Sequence, residues 1–310
     1  MKIHTITLNP SVDRILYLNE YVPEITNRLT KTVDGLGGKG THVSINLSIL
    51  GLESQAMGIA YGSSGDKIIN MLSKDKIDVC FLKKEGAESR TNYLVIEGNG
   101  KCTILAEKGE ILDDEKIDEF IKFMDPHINE GDYLVFSGDS SNCVNPNVYN
   151  NIMKAFEDRH VKVFMDASGK TLCRCMEEKP FLIKPNLEEL SYVCGRKLSS
   201  EEEMIDAMKE LSKDGPQIIA LTLGADGAIV LANDKVYKVK SPKVDVKNTI
   251  GCGDCFLSGI IYGVYNNLPI ENTLKLATAV AAAGACSELS AGFDLELSKE
   301  LENRVIVNEL

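Results

Sequence analysis

Much is missing from this 310-residue chain. No apolar run approaches membrane-spanning length, and the opening Lys2-Ile3-His4 is not a charged-then-apolar leader. The expectation is therefore neither a membrane span nor export. No block of lysine and arginine stands out against a net charge of −12 and a pI near 5. That argues against nucleic acid and anionic membrane surfaces as partners, and an anionic ligand would have to be caught by a few placed cations. The four histidines (His4, His42, His127, His160) show no ligand spacing. The nine cysteines are odd in number and scattered, which fits a reducing cytoplasm better than a disulfide framework. Cys252-Gly-Asp-Cys255 has redox or metal spacing, but without a second such pair or nearby histidines it reads, like Cys173-Arg-Cys175, as small-residue packing. Internal repeats and low-complexity segments are absent too. What remains is 44% hydrophobic, enough for a large core as one big domain or one and a half.

Along the chain, β-branched runs alternate with helical patterns. Lys2–Asn9 reads as a strand ended by Pro10, Thr41–Leu50 as a helix, Ser54–Tyr61 as a strand and about 65–76 as a helix. Thr91–Ile96 and Cys102–Ala106 flank Glu97-Gly98-Asn99-Gly100, a hairpin signal. A hairpin interrupting a βα series suggests a small sheet set apart, with 11–36 supplying its other strands. Regular alternation then resumes, with helices near 113–124, 149–156, 187–194, 201–213 and 270–285 and strands near 133–137, 161–166, 181–184, 218–223, 228–231 and 236–240. The pattern predicts an α/β fold, a mostly parallel sheet sandwiched by helices. Ligands collect beyond the carboxyl ends of such strands, which groups Asn9, Ser137-Gly138, Asp166, Lys184 and Thr222.

The stretch Asn248-Thr249-Ile250-Gly251-Cys252-Gly253-Asp254 feeds the apolar run Cys255-Phe256-Leu257-Ser258-Gly259-Ile260-Ile261. It reads as a glycine loop opening a buried helix, whose first N–H groups and dipole favour an anion. Asp254 there either compensates the dipole or takes a proton from an attacking hydroxyl while the amides hold negative charge. Gly37-Gly38-Lys39-Gly40 allows close backbone approach plus one point charge, although the Walker A spacing is absent. Asn186-Leu-Glu-Glu189 is either a capping box or a place for water-mediated Mg²⁺ contact. Arg28 and Arg90 are either solvated or phosphate-binding, and Asp13 is either a turn aspartate or an acceptor for sugar hydroxyls.

The order of these motifs, with Thr222-Leu223-Gly224-x-x-Gly227 added, resembles the ribokinase-like carbohydrate kinases of the phosphofructokinase B type over nearly the whole chain. Thr7-Leu8-Asn9-Pro10, Asn27-Arg28 and Asp166-Ala-Ser168-Gly169 look like the branch of 1-phosphofructokinase and tagatose-6-phosphate kinase. The resemblance implies a single ribokinase-like kinase domain over 1–310 with a lid from about 11–36 and 88–107. It implies Asp254 as base and Gly251, Cys252 and Gly253 as anion hole. Asp13, Gly38 and Lys39 would line the sugar site, with Arg28 and Arg90 at the phosphate it carries. Lys184, Thr222, Gly224, Gly227 and Gly284 would serve ATP, and Asn186 with Glu189 would serve Mg²⁺. A homodimer through the lid is also implied.

Three places depart from the branch. His42 stands where asparagine is usual, Ser137-Gly138-Asp139-Ser140 replaces serine-glycine-serine-leucine-proline, and Glu107-Lys108-Gly109 replaces a proline-glycine turn. All lie toward the acceptor side. The implied activity is an ATP- and Mg²⁺-dependent kinase for a phosphorylated ketose, fructose 1-phosphate first and tagatose 6-phosphate next. An unphosphorylated acceptor such as ribose or a nucleoside, and a non-catalytic sugar-phosphate-binding regulator, are the other readings.

Overall fold

The computed structural model describes residues 1–73, 76–138, 140–213 and 215–310, so Asp139 and part of the helix expected over 65–76 lie outside the described residues. The first part of the chain runs β1 (Ile3–Thr7), β2 (Ser11–Leu18), β3 (Lys31–Gly37), α1 (Lys39–Ile49), β4 (Ser54–Tyr61), α2 (Gly62–Leu72), β5 (Ile77–Lys84), β6 (Arg90–Glu97) and β7 (Cys102–Ala106). It continues with α3 (Asp114–Met124), β8 (Tyr133–Ser137), α4 (Val148–Ala155), β9 (Lys162–Asp166), α5 (Gly169–Cys175), β10 (Leu182–Ile183), α6 (Leu187–Val193) and α7 (Glu201–Ser212). The last part holds β11 (Ile218–Thr222), β12 (Ala228–Ala232), β13 (Lys235–Lys240), α8 (Cys252–Tyr265), α9 (Ile270–Ala285), α10 (Leu295–Glu302) and β14 (Ile306–Glu309).

Ten strands form one sheet in the order β14-β13-β12-β11-β10-β9-β8-β1-β4-β5. Neighbours from β5 to β11 pair in parallel, and β11 through β14 pair antiparallel. Both faces are covered, and the strands show it by alternation. Tyr133 and Val135 of β8 pack with Val43, Leu47, Phe256, Leu257 and Ile260, whereas Leu134 and Phe136 pack with Phe120, Tyr149 and Ile152. Each such side chain contributes about 1.5–3 kcal/mol when fully buried. α8 is apolar nearly all round because it is sandwiched between the sheet and α9. At that crossing a Cβ on Gly259 would stand 2.4 Å from Ala277 Cα, so the glycine is a packing requirement.

The four-stranded sheet β3-β2-β6-β7 stands apart, as the hairpin signal predicts, with 11–18 and 31–37 supplying two of its strands. β7 is exposed along its length. Four connections tie this sheet to the rest: Leu8-Asn9-Pro10 between β1 and β2, Gly38 between β3 and α1, the run through Ser89 into β6, and 107–113 from β7 to α3.

The structure corrects the sequence reading in a few elements. The first strand stops at Thr7 rather than Asn9, and β5, α5, α10 and β14 have no counterpart in it. β5 and β14 are edge strands; β5 is only partly buried and β14 has no buried residue, so the apolar pattern that marks a strand is diluted. The α5 and α10 helices are short, seven and eight residues, and offer little period to read.

Candidate active site

Asn9, Ser137, Asp166, Lys184 and Thr222 follow or end β1, β8, β9, β10 and β11, which are five consecutive strands of the sheet. The grouping made from strand ends thus becomes one row, roughly 19 Å long at about 4.8 Å per strand. The tip of α8 sits over it. Gly251 takes a left-handed conformation (φ 83°) with no side-chain cap, and a Cβ there would lie 1.8 Å from the Ser290 carbonyl oxygen. Only glycine fits. By helix geometry the amides of Gly253 and Asp254 are left open to a ligand. That of Cys252 is already turned to the Thr249 carbonyl at 3.4 Å.

Asp254 is 3% exposed. Its Oδ2 lies 2.9 Å from His42 Nδ1 on α1, and the Ser137 hydroxyl donates to Oδ1 at 3.5 Å. His42 Nε2 donates to the Leu36 carbonyl oxygen at 2.9 Å. Burial by itself would lower the His42 pKa, but the hydrogen bond and charge of Asp254, helped by Leu36 and Asp13, outweigh it and leave it raised. Asp254, His42 and Ser137 line a cavity of about 230 Å³ together with Gly38, Lys39, Arg90, Tyr149 and Gly251.

Beside them lies a charged cluster. Lys39 Nζ and Lys184 Nζ stand 3.5 and 3.3 Å from Asp166 Oδ1. Burial would raise the Asp166 pKa; the two ammonium groups more than reverse that and hold it low. The Asp166 charge in turn raises the Lys39 pKa, with Asp254 and Glu189 adding to it. Two cations to one carboxylate leave a net positive spot, and Lys184 Nζ would meet a Cβ on Gly253 at 3.2 Å, so it sits against the helix tip. Asp166 Oδ2 is buried without a hydrogen-bond partner.

The other candidate residues fall around this centre. Asp13 on β2 accepts from the Ser11 hydroxyl and from Asn92 Nδ2, both at 2.9 Å on Oδ1. Arg90 donates to the Asn9 carbonyl oxygen at 3.1 Å. Asn186 and Glu189 form the capping box: Asn186 Oδ1 accepts from the Glu189 amide, and Glu189 Oε2 from the Asn186 amide, each at 2.9 Å. A bridge to Thr222 puts that helix start beside the end of β11, where Gly224 and Gly227 turn the chain. Arg28 is not brought in; it is exposed in the β2–β3 connection and does not line the cavity. Gly284 is buried against Cys255 where α9 crosses α8.

All nine cysteines are free. Burial and then the Asp254 charge push the Cys252 thiol up to about 11, which makes it an unreactive packing group, as its spacing alone does not reveal. Among the described residues no group of three or more His, Cys, Asp or Glu could cage a metal. The orphan oxygen of Asp166 and the nearby Glu189 suit instead a hard cation that keeps most of its waters. A larger cavity of about 300 Å³, lined by Glu157, Lys162, Lys179 and Gln217, opens where β9, β10 and β11 begin, the end of a parallel sheet that ligands seldom use.

Two features were not legible beforehand. The contact of His42 with Asp254 spans 212 positions, and no local signal announces it. In sequence Asp166 is a strand-end residue and the start of the branch-like Asp166-Ala-Ser168-Gly169 segment, but its place between two lysines needs the sheet order to be seen.

Fold and site together define an α/β protein that sets a buried carboxylate and a small cluster of cations at the strand ends below a second sheet. The chain belongs to the pfkB family of carbohydrate kinases, whose model matches residues 6–296. It is 31% identical over 286 residues to the 1-phosphofructokinase of Bacillus subtilis, covering 92% of this chain and 93% of that one. It is 30% identical over 311 residues to the tagatose-6-phosphate kinase of Staphylococcus epidermidis, covering 99% and 100%. Among solved structures, phosphofructokinase-2 of Escherichia coli with substrates and products superposes with a TM-score of 0.92 over 98% of this chain and 99% of that one. At 22% identity that likeness speaks to the fold.

Proposed function

We propose that this carbohydrate kinase uses ATP to phosphorylate the primary hydroxyl of a ketose that already carries one phosphate, fructose 1-phosphate first. The observation that carries the proposal is the buried Asp254 at an open helix tip, sharing one cavity with Lys39 and Arg90. On this reading the row of strand ends is divided between the two substrates. The sugar lies at the end near Asn9, Asp13 and Gly38, with Arg90 at its phosphate. The nucleotide lies toward Thr222, Gly224 and Gly227. The γ-phosphate then falls in between, against Lys184 and the amides of Gly253 and Asp254, while Asp254 accepts the proton of the attacking hydroxyl. Phosphoryl transfer needs alignment and charge neutralisation more than covalent help, and this arrangement offers both.

Glu189, Asp166 and Asn186 would hold Mg²⁺, largely through water, and the ion when bound neutralises charge on the transferring phosphates. The four-stranded sheet would act as a lid that excludes water and, through exposed Ile104 and Leu105 on β7 and Tyr21 and Ile25 in the β2–β3 connection, as a homodimer contact. Arg28 would reach the sugar phosphate only when that sheet closes. A cytoplasmic location fits the nine free thiols.

Tagatose 6-phosphate is the second reading, favoured by the full-length match to the kinase of that name. An ADP-release assay across a panel of sugar phosphates tests both. Fructose 1-phosphate should give the highest kcat/KM; turnover only with an unphosphorylated sugar or nucleoside would overturn the proposal.

A further inference from the structure

The His42 ring is held between two acceptors. Nε2 points at the Leu36 carbonyl oxygen of β3 and Nδ1 at Asp254 Oδ2 of α8, each at 2.9 Å. A carbonyl oxygen has only lone pairs to offer, so Nε2 carries a hydrogen. A neutral ring would then set a bare Nδ1 against a carboxylate oxygen, lone pair to lone pair. The contact is attractive only when one more proton lies on the Nδ1–Oδ2 line. Imidazole is ordinarily the stronger base of the two by about 2–3 pH units, which assigns that proton to the ring. His42 is 4% and Asp254 3% exposed, so the contact joins two buried groups whose pairing matters more than it would in bulk water.

We infer that His42 is a positioning residue: as an imidazolium it clamps Oδ2 of Asp254, turns Oδ1 toward the acceptor hydroxyl, and makes turnover fail on the alkaline side when it loses its proton. This rests on the reading of Asp254 as the base. In the transfer step the bond from the acceptor oxygen to the γ-phosphorus forms and the bond from that phosphorus to the β–γ bridging oxygen breaks. The hydroxyl proton passes to Oδ1, and His42 keeps both of its own. Ser137, the other group on Asp254, is a neutral hydroxyl and cannot supply this charge.

The charged groups around the ring are few. Asp254 from α8 and Asp13 from β2 favour the cation. Lys39 from the same helix and Arg90 from β6 share the cavity and oppose it, but Lys39 is compensated by Asp166. Because the folded-state pKa is raised, the stabilisation from this pair is complete below the ordinary imidazole value and fades as pH climbs through the folded one. Loss of the clamp should coincide with that upper range.

Two measurements on the full-length protein decide the matter. First, the ¹⁵N resonances of the histidine rings are followed with pH in the wild type, with His42 assigned from the His42→Asn spectrum. The ring should remain doubly protonated above the ordinary imidazole range, and it should titrate at lower pH in Asp254→Asn. Second, kcat is measured against pH for wild type, His42→Asn and His42→Ala. Asparagine keeps one donor for Asp254 and cannot titrate, so it should lower kcat by about 3–10-fold and abolish the alkaline limb. Alanine should lower kcat by about 10–100-fold with little change in KM, the scale of a misplaced reacting group. A ring already neutral at pH 6–7, or an alkaline limb that persists in His42→Asn, would overturn the inference. Near-normal turnover in Asp254→Asn would instead overturn the base assignment, and the ring titration would still report whether the pair exists.

Discussion

Helices α6 and α8 both begin at the strand ends and both carry an acid at the third helical position, yet the two acids have opposite surroundings. In α6, Glu189 folds back on the Asn186 amide and Asn186 caps the Glu189 amide, so the helix start closes on itself. In α8 the residue before the first turn is a left-handed glycine with nothing to cap, and Asp254 turns away to His42 and Ser137. The first arrangement satisfies backbone donors locally and contributes about 0.5–2 kcal/mol. The second leaves donors open and places a charge in a buried cavity, which is costly unless a distant side chain compensates it. An acid at a helix start is thus ambiguous in sequence; the residue at the cap and the partner across the fold separate stabiliser from reactive group.

That contrast can be broken from either side. The largest effect is expected for Asp254→Asn, which keeps the shape and removes the base. Its kcat should fall by about 10²–10⁴, with the KM for ATP within a few-fold of wild type. Steady-state kinetics that show near-normal kcat would erase the difference between the two helices. Next comes Gly251→Ala, where a methyl group meets the Ser290 carbonyl oxygen in a backbone region that disfavours it. A loss of at least about 1–3 kcal/mol in urea unfolding is expected, with a drop in kcat as the amides shift. Unchanged stability there would mean that the loop need not be as tight as described. The smallest effect belongs to Asn186→Ala, about 1 kcal/mol in stability from the lost cap. On the proposed Mg²⁺ role it also raises the Mg²⁺ concentration needed for half-maximal rate. A kcat loss as large as that of Asp254→Asn would place α6 in the chemistry rather than beside it.

The sequence carried the fold well where the period was long and both faces of a strand were buried. β4 and β8 are examples; the β6–β7 hairpin is legible for another reason, its turn residues, since β7 itself is exposed. The sequence failed at the edges, where β5 is partly and β14 mostly exposed, and in short α5 and α10. The separate small sheet was legible because a hairpin broke a βα rhythm. Within the site, Gly38, Lys39, Arg90, Gly251 and Asp254 do meet in one cavity. Glycine and lysine spacing reported local backbone shape, and strand-end logic supplied the shared edge. The His42–Asp254 contact and the Lys39–Asp166–Lys184 cluster were not readable, since each joins elements far apart in the chain through the sheet order alone.

The most direct test is a crystal structure with fructose 1-phosphate and a non-hydrolysable ATP analogue bound together. The account predicts Asp254 Oδ1 within about 2.6–3.2 Å of the free primary hydroxyl, in line with the terminal phosphate, and Oδ2 still held by His42. A carboxylate turned away from that hydroxyl, with the sugar seated elsewhere along the strand ends, would contradict it.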